Sequence, residues 1–168
     1  HYCRQIGLEF DRDGEIARRG AICRPLLDEL NGMEFYHQSG PKSLGREWVE
    51  TQVYPMLERY GLSLEDKLRT FYEHAAFQIF RIINANSSSA GNGKLLITGG
   101  GAFNKFLVER IEALCPCQIV IPGRQIIEYK EALIFAFLGA LYMVDEPGCL
   151  ASVTGASMDN IGGMLFKV

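Results

Sequence analysis

The sequence predicts an α/β fold in which many helices accompany a short sheet. Two apolar runs typical of buried strands, Leu95 to Thr98 and Gln118 to Ile121, flank a segment with apolar side chains at helical spacing, Asn104 to Leu114. Such a strand–helix–strand unit requires parallel strands joined by a right-handed crossover. Because two strands do not make a stable sheet by themselves, we expect the rest of a mixed sheet to come from elsewhere.

Turn-forming residues mark the helices that precede this unit. Gly20 ends a first predicted helix over Asp13 to Arg19, and Pro25 lies in the first turn of a second helix. A third helix spans Trp48 to Tyr60, where Pro55 predicts a start or a kink because proline has no N–H to donate.

A long amphipathic helix is predicted to begin at Ser63, which starts a capping-box pattern completed by Asp66. Its buried stripe recurs at three- and four-residue steps and consists of Leu64, Leu68, Phe71, Ala75, Ile79 and Ile83. His74 lies near this stripe, so we expect a histidine of the core rather than a catalytic one. The Ser- and Gly-rich segment 86–93 is predicted to be a surface connection.

The last long helix is predicted over Glu128 to Val144 and is apolar on most of its faces. Its apolar residues include Ala132, Leu133, Phe135, Ala136, Leu138, Leu141 and Tyr142. A helix of this kind is normally enclosed by other elements, so we expect its side chains to be buried.

Composition and charge point away from several classes of function. The 168 residues are 48 % hydrophobic and 22 % charged, with a formal net charge of −3. There is no basic stripe and no apolar run long enough to span a bilayer, so we expect neither nucleic acid nor a membrane as partner. The five cysteines include no C-x-x-C pair, so we expect reduced cytoplasmic thiols and no metal site.

The turn between strand and helix carries the strongest functional signal. Gly99, Gly100 and Gly101 expose bare backbone, and Asn104 is a good N-cap for the helix that follows. Backbone N–H groups at a helix start suit a phosphate or a ribose, although the turn matches neither G-x-G-x-x-G nor a Walker A loop. Close packing is the alternative explanation for the glycines, and capping alone is the alternative for Asn104.

Five segments match known signatures in order and in register from about Leu8 to Phe166. They are Phe10–Gly20, the loop Gly40–Trp48, the turn Leu96–Asn104, the helix Glu131–Phe137 and the segment Ser152–Ser157. Together they resemble the motifs of anhydro-N-acetylmuramic acid kinases, where the third segment corresponds to the adenosine motif.

The resemblance implies the C-terminal half of an actin-like (ribonuclease H-like) sugar kinase, with residues 1–168 as one partial domain of a two-domain enzyme. The implied reaction opens the 1,6-anhydro ring with water and phosphorylates the freed 6-hydroxyl from ATP and Mg²⁺, in recycling of the bacterial cell wall. Homodimerisation is also implied. The family's phosphate-binding segment and its catalytic aspartate have no match here, and we expect them upstream of His1. By itself, this chain is therefore expected to be inactive.

The resemblance also assigns roles to individual residues. Gly99, Gly100, Gly101 and Asn104 are implied to bind the nucleotide, and no residue of this chain is implied to bind metal or to act as the base. The implied cleft residues are Lys42, Ser43, Arg46, Glu131, Thr154 and Gly155. An Arg46–Glu47 network and a salt bridge of Glu131 are the structural alternatives. A non-catalytic actin-like module that binds a nucleotide or a partner is the alternative function.

Overall fold

The computed structural model describes residues 1–39, 42–86, 93–164 and 166. Gly40, Pro41 and most of the predicted connection 86–93 lie outside the described residues. Within these ranges the helices are α1 (Tyr2–Gln5), α2 (Glu15–Arg19), α3 (Arg24–Asn31), α4 (Arg46–Trp48), α5 (Tyr54–Arg59), α6 (Leu64–Asn86), α7 (Lys105–Leu114), α8 (Arg124–Met143) and α9 (Ala151–Thr154), and the strands are β1 (Lys94–Leu96) and β2 (Gln118–Val120).

The chain divides into two compact units. The first comprises His1–Gln38 and Leu44–Pro122, and the second comprises Ser39–Ser43 and Gly123–Val168. Helices α1 to α7 and the sheet therefore belong to the first unit, and α8 and α9 belong to the second.

The predicted strand–helix–strand unit is confirmed, but the prediction that its strands are buried is wrong: no residue of either strand is buried, and Leu96 is 61 % exposed. Strands β1 and β2 are parallel, with Lys94 opposite Gln118 and Leu96 opposite Val120, and α7 forms the crossover. The backbone N–H of Ile97 donates to the Val120 carbonyl at 3.0 Å and extends the pairing by one residue. Outside these two strands, the pairing among the described residues is one antiparallel bridge, between Cys149 and Asn160 in the second unit. The described residues therefore do not supply the rest of the mixed sheet, which we expected to come from elsewhere.

Helix α6 organises the first unit because both hydrophobic clusters pack against it. Near its start, Leu68 and Phe71 contact a cluster that contains the fully buried Leu26 and Leu30 of α3. Further along, Ala76, Ile79 and Ile83 belong to a cluster with α7 and the sheet. The Ser63 half of the predicted capping box is confirmed, since its hydroxyl accepts from the Asp66 N–H at 3.1 Å, whereas the Asp66 carboxylate accepts from the Ala21 N–H instead.

Gly20 lets the chain cross the first turn of α6 at close range. A Cβ at this position would lie 2.1 Å from the Glu65 carbonyl oxygen, so any larger residue would displace backbone. Immediately after the crossing, the Ala21 N–H donates to the Asp66 carboxylate at 2.7 Å. The Cys23 N–H donates to the buried Thr70 hydroxyl at 2.9 Å. Two side chains of α6 thus satisfy backbone groups that the crossing leaves without helical partners.

A π-helical stretch precedes Pro55, where the sequence predicted a helix start or a kink. Helix α4 runs into one π-helical stretch over Val49–Val53, and α5 begins at Tyr54 with Pro55 in its first turn. The backbone on both sides of this boundary is helical, so the π-helical stretch, and not a free helix start, precedes the residue that cannot donate an N–H.

His74 is a core residue, as predicted. It is 1 % exposed, its Nδ1 donates to the Asn31 side-chain oxygen at 2.7 Å, and the Tyr36 hydroxyl donates to its Nε2 at 3.0 Å. Gln78 donates to the same Asn31 oxygen at 2.9 Å. Burial lowers the pKa of His74 to about 4, which keeps the imidazole neutral in the folded protein.

Helix α8 forms one turn earlier than predicted, and the prediction that it is enclosed is wrong. Ile127 is its buried residue, whereas Leu133 is 60 % exposed and Phe135 is 70 % exposed. The sequence pattern records how apolar a helix is, but burial depends on the surfaces that pack around it. None of the helices in the described part of the chain is both long and apolar enough to cross a membrane.

The buried His74 makes a specific prediction for the dependence of stability on pH. Its pKa is about 4 in the folded protein, against an ordinary value of 6.5 for histidine in an unfolded chain. Its stabilising effect is therefore complete above pH 6.5 and declines as the pH falls towards 4. Between pH 7.5 and pH 5, we expect the wild type to lose about 2 kcal/mol of unfolding free energy more than His74→Gln does.

Urea denaturation at both pH values measures this difference. Leu30→Ala is the control, because it removes a fully buried side chain and destabilises the core without removing a titrating group. It should retain the pH dependence of the wild type. Equal pH dependence in His74→Gln and the wild type would contradict the prediction.

Candidate functional site

The glycine turn after β1 lines a cavity of about 490 Å³ within the first unit. Gly100, Gly101 and Asn104 border it on one side. The turn before α2, which includes Phe10 and Asp11, borders it on another, and Tyr72 of α6 also contributes. The structure therefore brings three of the four predicted nucleotide-binding residues to one opening, and Gly99 immediately precedes them.

Gly99 is required by backbone geometry. Its φ of 80° and ψ of −179° lie in a region that is essentially restricted to glycine. The 3₁₀ turn Gly100–Phe103 begins directly after it, so this backbone conformation directs the chain from β1 into the turn.

Close packing does not account for the next two glycines. A Cβ on Gly100 would meet no atom within 4 Å, and one on Gly101 would meet only the Leu107 side chain, at 4.0 Å. Both residues face open space at the edge of the cavity. Their backbone is therefore accessible to a ligand in a way that a side chain at either position would restrict.

Asn104 caps α7 and also takes part in a side-chain network. Its Oδ1 accepts from the Leu107 N–H at 2.9 Å, which confirms the N-cap prediction. Its Nδ2 donates to the Tyr72 hydroxyl at 2.9 Å. The amide thus joins the start of α7 to the middle of α6 at the border of the cavity.

Asp11 and Tyr72 were missed by reasoning from the sequence. The Asp11 carboxylate is buried and accepts from the N–H groups of Ile16 at 2.8 Å and Ala17 at 3.2 Å, so it caps α2. The Tyr72 hydroxyl donates to the same carboxylate at 3.3 Å. Burial raises the pKa of Tyr72, and the negative charge of Asp11 raises it further. In the sequence, the position of Asp11 shortly before a predicted helix was the feature that could have indicated its capping role.

The turn before α2 approaches the glycine turn closely because of Gly14. This residue has a φ of 75°, and a Cβ on it would lie 2.5 Å from both the Asn104 Oδ1 and the Phe106 Cβ. A salt bridge of 3.3 Å between Asp13 and Lys105 also joins the turn before α2 to the start of α7, directly after the glycine turn. They therefore form one continuous rim of the cavity.

Arg46 forms its salt bridge with Glu50. Its Nε donates to Glu50 at 2.6 Å, one helical turn away, and the negative charge of Glu47 acts on the same guanidinium, so the structural network around Arg46 includes Glu50 as well as Glu47. The hydrogen bond to Glu50 raises the pKa of the guanidinium. The side chain is nevertheless 80 % exposed, and most of its donors remain accessible to solvent.

The other predicted cleft residues, Lys42, Ser43, Glu131, Thr154 and Gly155, belong to the second unit. The Thr154 hydroxyl donates to the Leu150 carbonyl at 3.0 Å and accepts from the Ala156 N–H at 3.3 Å. Gly155, with a φ of 74°, ends α9. Glu131 is exposed on α8, and the described residues provide no salt bridge for it.

A family model described as anhydro-N-acetylmuramic acid kinase matches residues 2–168. The chain belongs to the anhydro-N-acetylmuramic acid kinase family. The resemblance identified from five sequence segments is therefore confirmed over the whole chain. Membership implies a sugar kinase that acts on anhydro-N-acetylmuramic acid, a phosphotransferase that uses ATP and Mg²⁺.

The cavity fits the neutral part of a nucleotide better than its phosphates. Its described lining contains two carboxylates, Asp11 and Asp13, together with aromatic side chains and bare glycine backbone, and none of these lining residues is cationic. No cluster of three or more metal-ligating side chains occurs in the described ranges. Kinases commonly bind Mg²⁺ through one or two carboxylates and the nucleotide phosphates, so such a cluster is not required.

The unfolding free energies of Gly99→Ala and Gly100→Ala should show which glycine is required by backbone geometry. Gly99→Ala should lower the unfolding free energy by about 1–3 kcal/mol, because alanine is strained at that φ and ψ. Gly100→Ala is the matched control and should change it by less than about 0.5 kcal/mol, because its Cβ faces open space. Thermal unfolding measures both, and equal losses would contradict the distinction.

Proposed function

We propose that this chain is the nucleotide-binding, C-terminal lobe of an actin-like kinase that hydrolyses the 1,6-anhydro ring of its sugar and phosphorylates the freed 6-hydroxyl. The main support is one observation. In a chain of this family, bare backbone at Gly100 and Gly101 borders an open cavity without any packing requirement for glycine.

In the proposed reaction, water opens the ring and ATP supplies the phosphoryl group. A base removes a proton from water, the water oxygen bonds to the anomeric carbon, and the bond from that carbon to O6 breaks. O6 then takes the γ-phosphoryl group of ATP, and ADP leaves. We propose that the base is the aspartate of an N-terminal lobe. When bound, Mg²⁺ neutralises the charge that develops on the phosphates.

Within this scheme the glycine turn binds the adenosine and its α-phosphate. A ligand can approach the backbone of Gly100 and Gly101 because neither carries a side chain. Asp13 is paired with Lys105, so the negative charge of the lining is concentrated at Asp11, and we propose that the triphosphate extends away from that carboxylate.

We propose that the remaining signature residues serve the sugar and the phosphates. Arg46 offers an exposed guanidinium, whose geometry matches phosphate, and Lys42 and Ser43 precede it in the same signature. Glu131 is proposed to face the sugar or the attacking water. Thr154 and Gly155 end a short helix and are proposed to line the cleft.

The proposal includes an N-terminal lobe, a homodimer and a cytoplasmic location, where ATP is supplied. The exposed apolar side chains of α8 support a further packing partner, because an extensive apolar surface is usually covered. Mg²⁺ would bind between the nucleotide phosphates and carboxylates of the complete protein.

Activity of the full-length protein tests this proposal directly. With ATP, Mg²⁺ and the anhydro sugar, we expect ADP and a 6-phosphosugar, and we expect ATP consumption only when the sugar is present. Absence of a phosphosugar would overturn the enzymatic proposal. ATP binding without turnover would instead favour a non-catalytic nucleotide-binding module.

Gly100→Val in the full-length protein tests the role of the turn. We expect at least a tenfold weaker affinity for ATP, because the branched side chain blocks approach to the backbone, with an unchanged melting temperature. Gly123→Val is the control, since a Cβ there also meets no atom within 4 Å but lies outside this cavity. Parallel loss of stability and affinity would contradict the binding role.

Glu131→Gln tests the sugar side of the proposed site. In the full-length protein we expect kcat to fall at least tenfold while the KM for ATP changes less than threefold, because the carboxylate is proposed to act on the sugar or its water. Steady-state kinetics measures both values. Glu112→Gln, at an exposed glutamate of α7, is the control. An unchanged kcat would remove Glu131 from the site.

A further inference from the structure

Three elements of the first unit meet in one chain of hydrogen bonds at the cavity. The Tyr72 hydroxyl of α6 lies 3.3 Å from Oδ2 of Asp11, which caps α2. It also lies 2.9 Å from Nδ2 of Asn104, which caps α7. All three side chains border the cavity that the glycine turn lines.

The direction of each hydrogen bond between Asp11, Tyr72 and Asn104 follows from the groups at the two ends of this series. The Asn104 Oδ1 is occupied by the Leu107 N–H, so Nδ2 faces Tyr72 and must donate to the hydroxyl oxygen. The hydroxyl proton is then available to Asp11, whose carboxylate accepts and also receives two backbone N–H groups of α2. Every step has one donor and one acceptor, so reversing the Asn104 amide would break the cap.

Burial makes the loss of these hydrogen bonds costly. Asp11 is 6 % exposed, and a buried carboxylate is costly unless hydrogen bonds compensate for lost water. Burial and the charge of Asp11 also raise the pKa of Tyr72, which keeps its hydroxyl protonated and able to donate.

Asn104 retains one donor for a ligand. A primary amide has two N–H groups, and the described hydrogen bonds of its Nδ2 use one of them, towards Tyr72. Asn104 is partly exposed and borders the cavity, next to the open backbone of Gly100 and Gly101. The second N–H is therefore suited to an acceptor on a ribose or a base.

We infer that Tyr72 is a positioning residue of the nucleotide site: through hydrogen bonds to Asp11 and Asn104, it fixes the Asn104 amide so that this amide donates to the bound nucleoside. This inference rests on the proposed function, and it assigns to α6 a role in binding that the signature motifs do not contain. Tyr72 acts through Asn104 and has no contact with the reacting atoms in this scheme.

A double-mutant cycle in the full-length protein tests the inference. Tyr72→Phe removes the hydroxyl and keeps the ring, and Asn104→Ser keeps an N-cap oxygen but removes the amide donor. We expect each single variant to weaken ATP affinity about three- to tenfold, the effect of one misplaced hydrogen bond. We expect the double variant to be no weaker than Asn104→Ser alone, because Tyr72 acts through that amide.

Steady-state kinetics gives a second measurement. We expect Tyr72→Phe to raise the KM for ATP about three- to tenfold, while kcat and the KM for the sugar change less than twofold. Tyr60→Phe is the matched control, because its hydroxyl donates to the Glu29 carboxylate at 3.0 Å outside the cavity. It should leave all three constants unchanged.

The outcomes separate the inference from the proposed function. If the wild type binds ATP but the effects of Tyr72→Phe and Asn104→Ser are additive, or if Tyr72→Phe lowers kcat and stability without changing the KM for ATP, the inference is overturned and the proposed function stands. If calorimetry detects no ATP binding to the wild type, both are overturned.

Discussion

The first unit depends on satisfying the polar groups that α6 buries. A buried donor or acceptor without a partner costs more than an ordinary hydrogen bond gains, so three polar residues of this helix, Asp66, Thr70 and His74, constrain what packs against it. Asp66 and Thr70 accept from backbone N–H groups after Gly20, and His74 is held by Asn31 and Tyr36.

The same requirement connects α6 to the strand–helix–strand unit. Glu73 makes two hydrogen bonds with Arg110 of α7, at 2.8 and 3.1 Å, and both side chains are mostly buried. One position earlier, Tyr72 reaches Asn104 at the start of the same helix. Helix α7 is therefore fixed relative to α6 at both its start and its middle, and the glycine turn is attached to its start.

Local features of this fold were predictable from the sequence because they depend on neighbouring residues. The caps at Ser63 and Asn104, the turn at Gly20 and the order of strand, turn and helix around Gly99 follow from backbone geometry and side-chain spacing. The Asp11–Tyr72–Asn104 chain was not predictable in this way, since its members are separated by 61 and 32 positions. The exposure of α8 was mispredicted for a related reason, because periodicity carries no information on which surfaces cover a helix.

Because both hydrophobic clusters pack against α6, this helix influences how the first unit unfolds locally. The helix has 23 residues and a length of about 34 Å, and one cluster packs near its start while the other packs further along. The two clusters pack on different residues of α6, but these residues belong to one continuous hydrogen-bonded helix, which links their local opening reactions. Amide hydrogens in the middle of α6 should therefore exchange with solvent only through the most global opening, whereas those of the glycine turn exchange through smaller fluctuations.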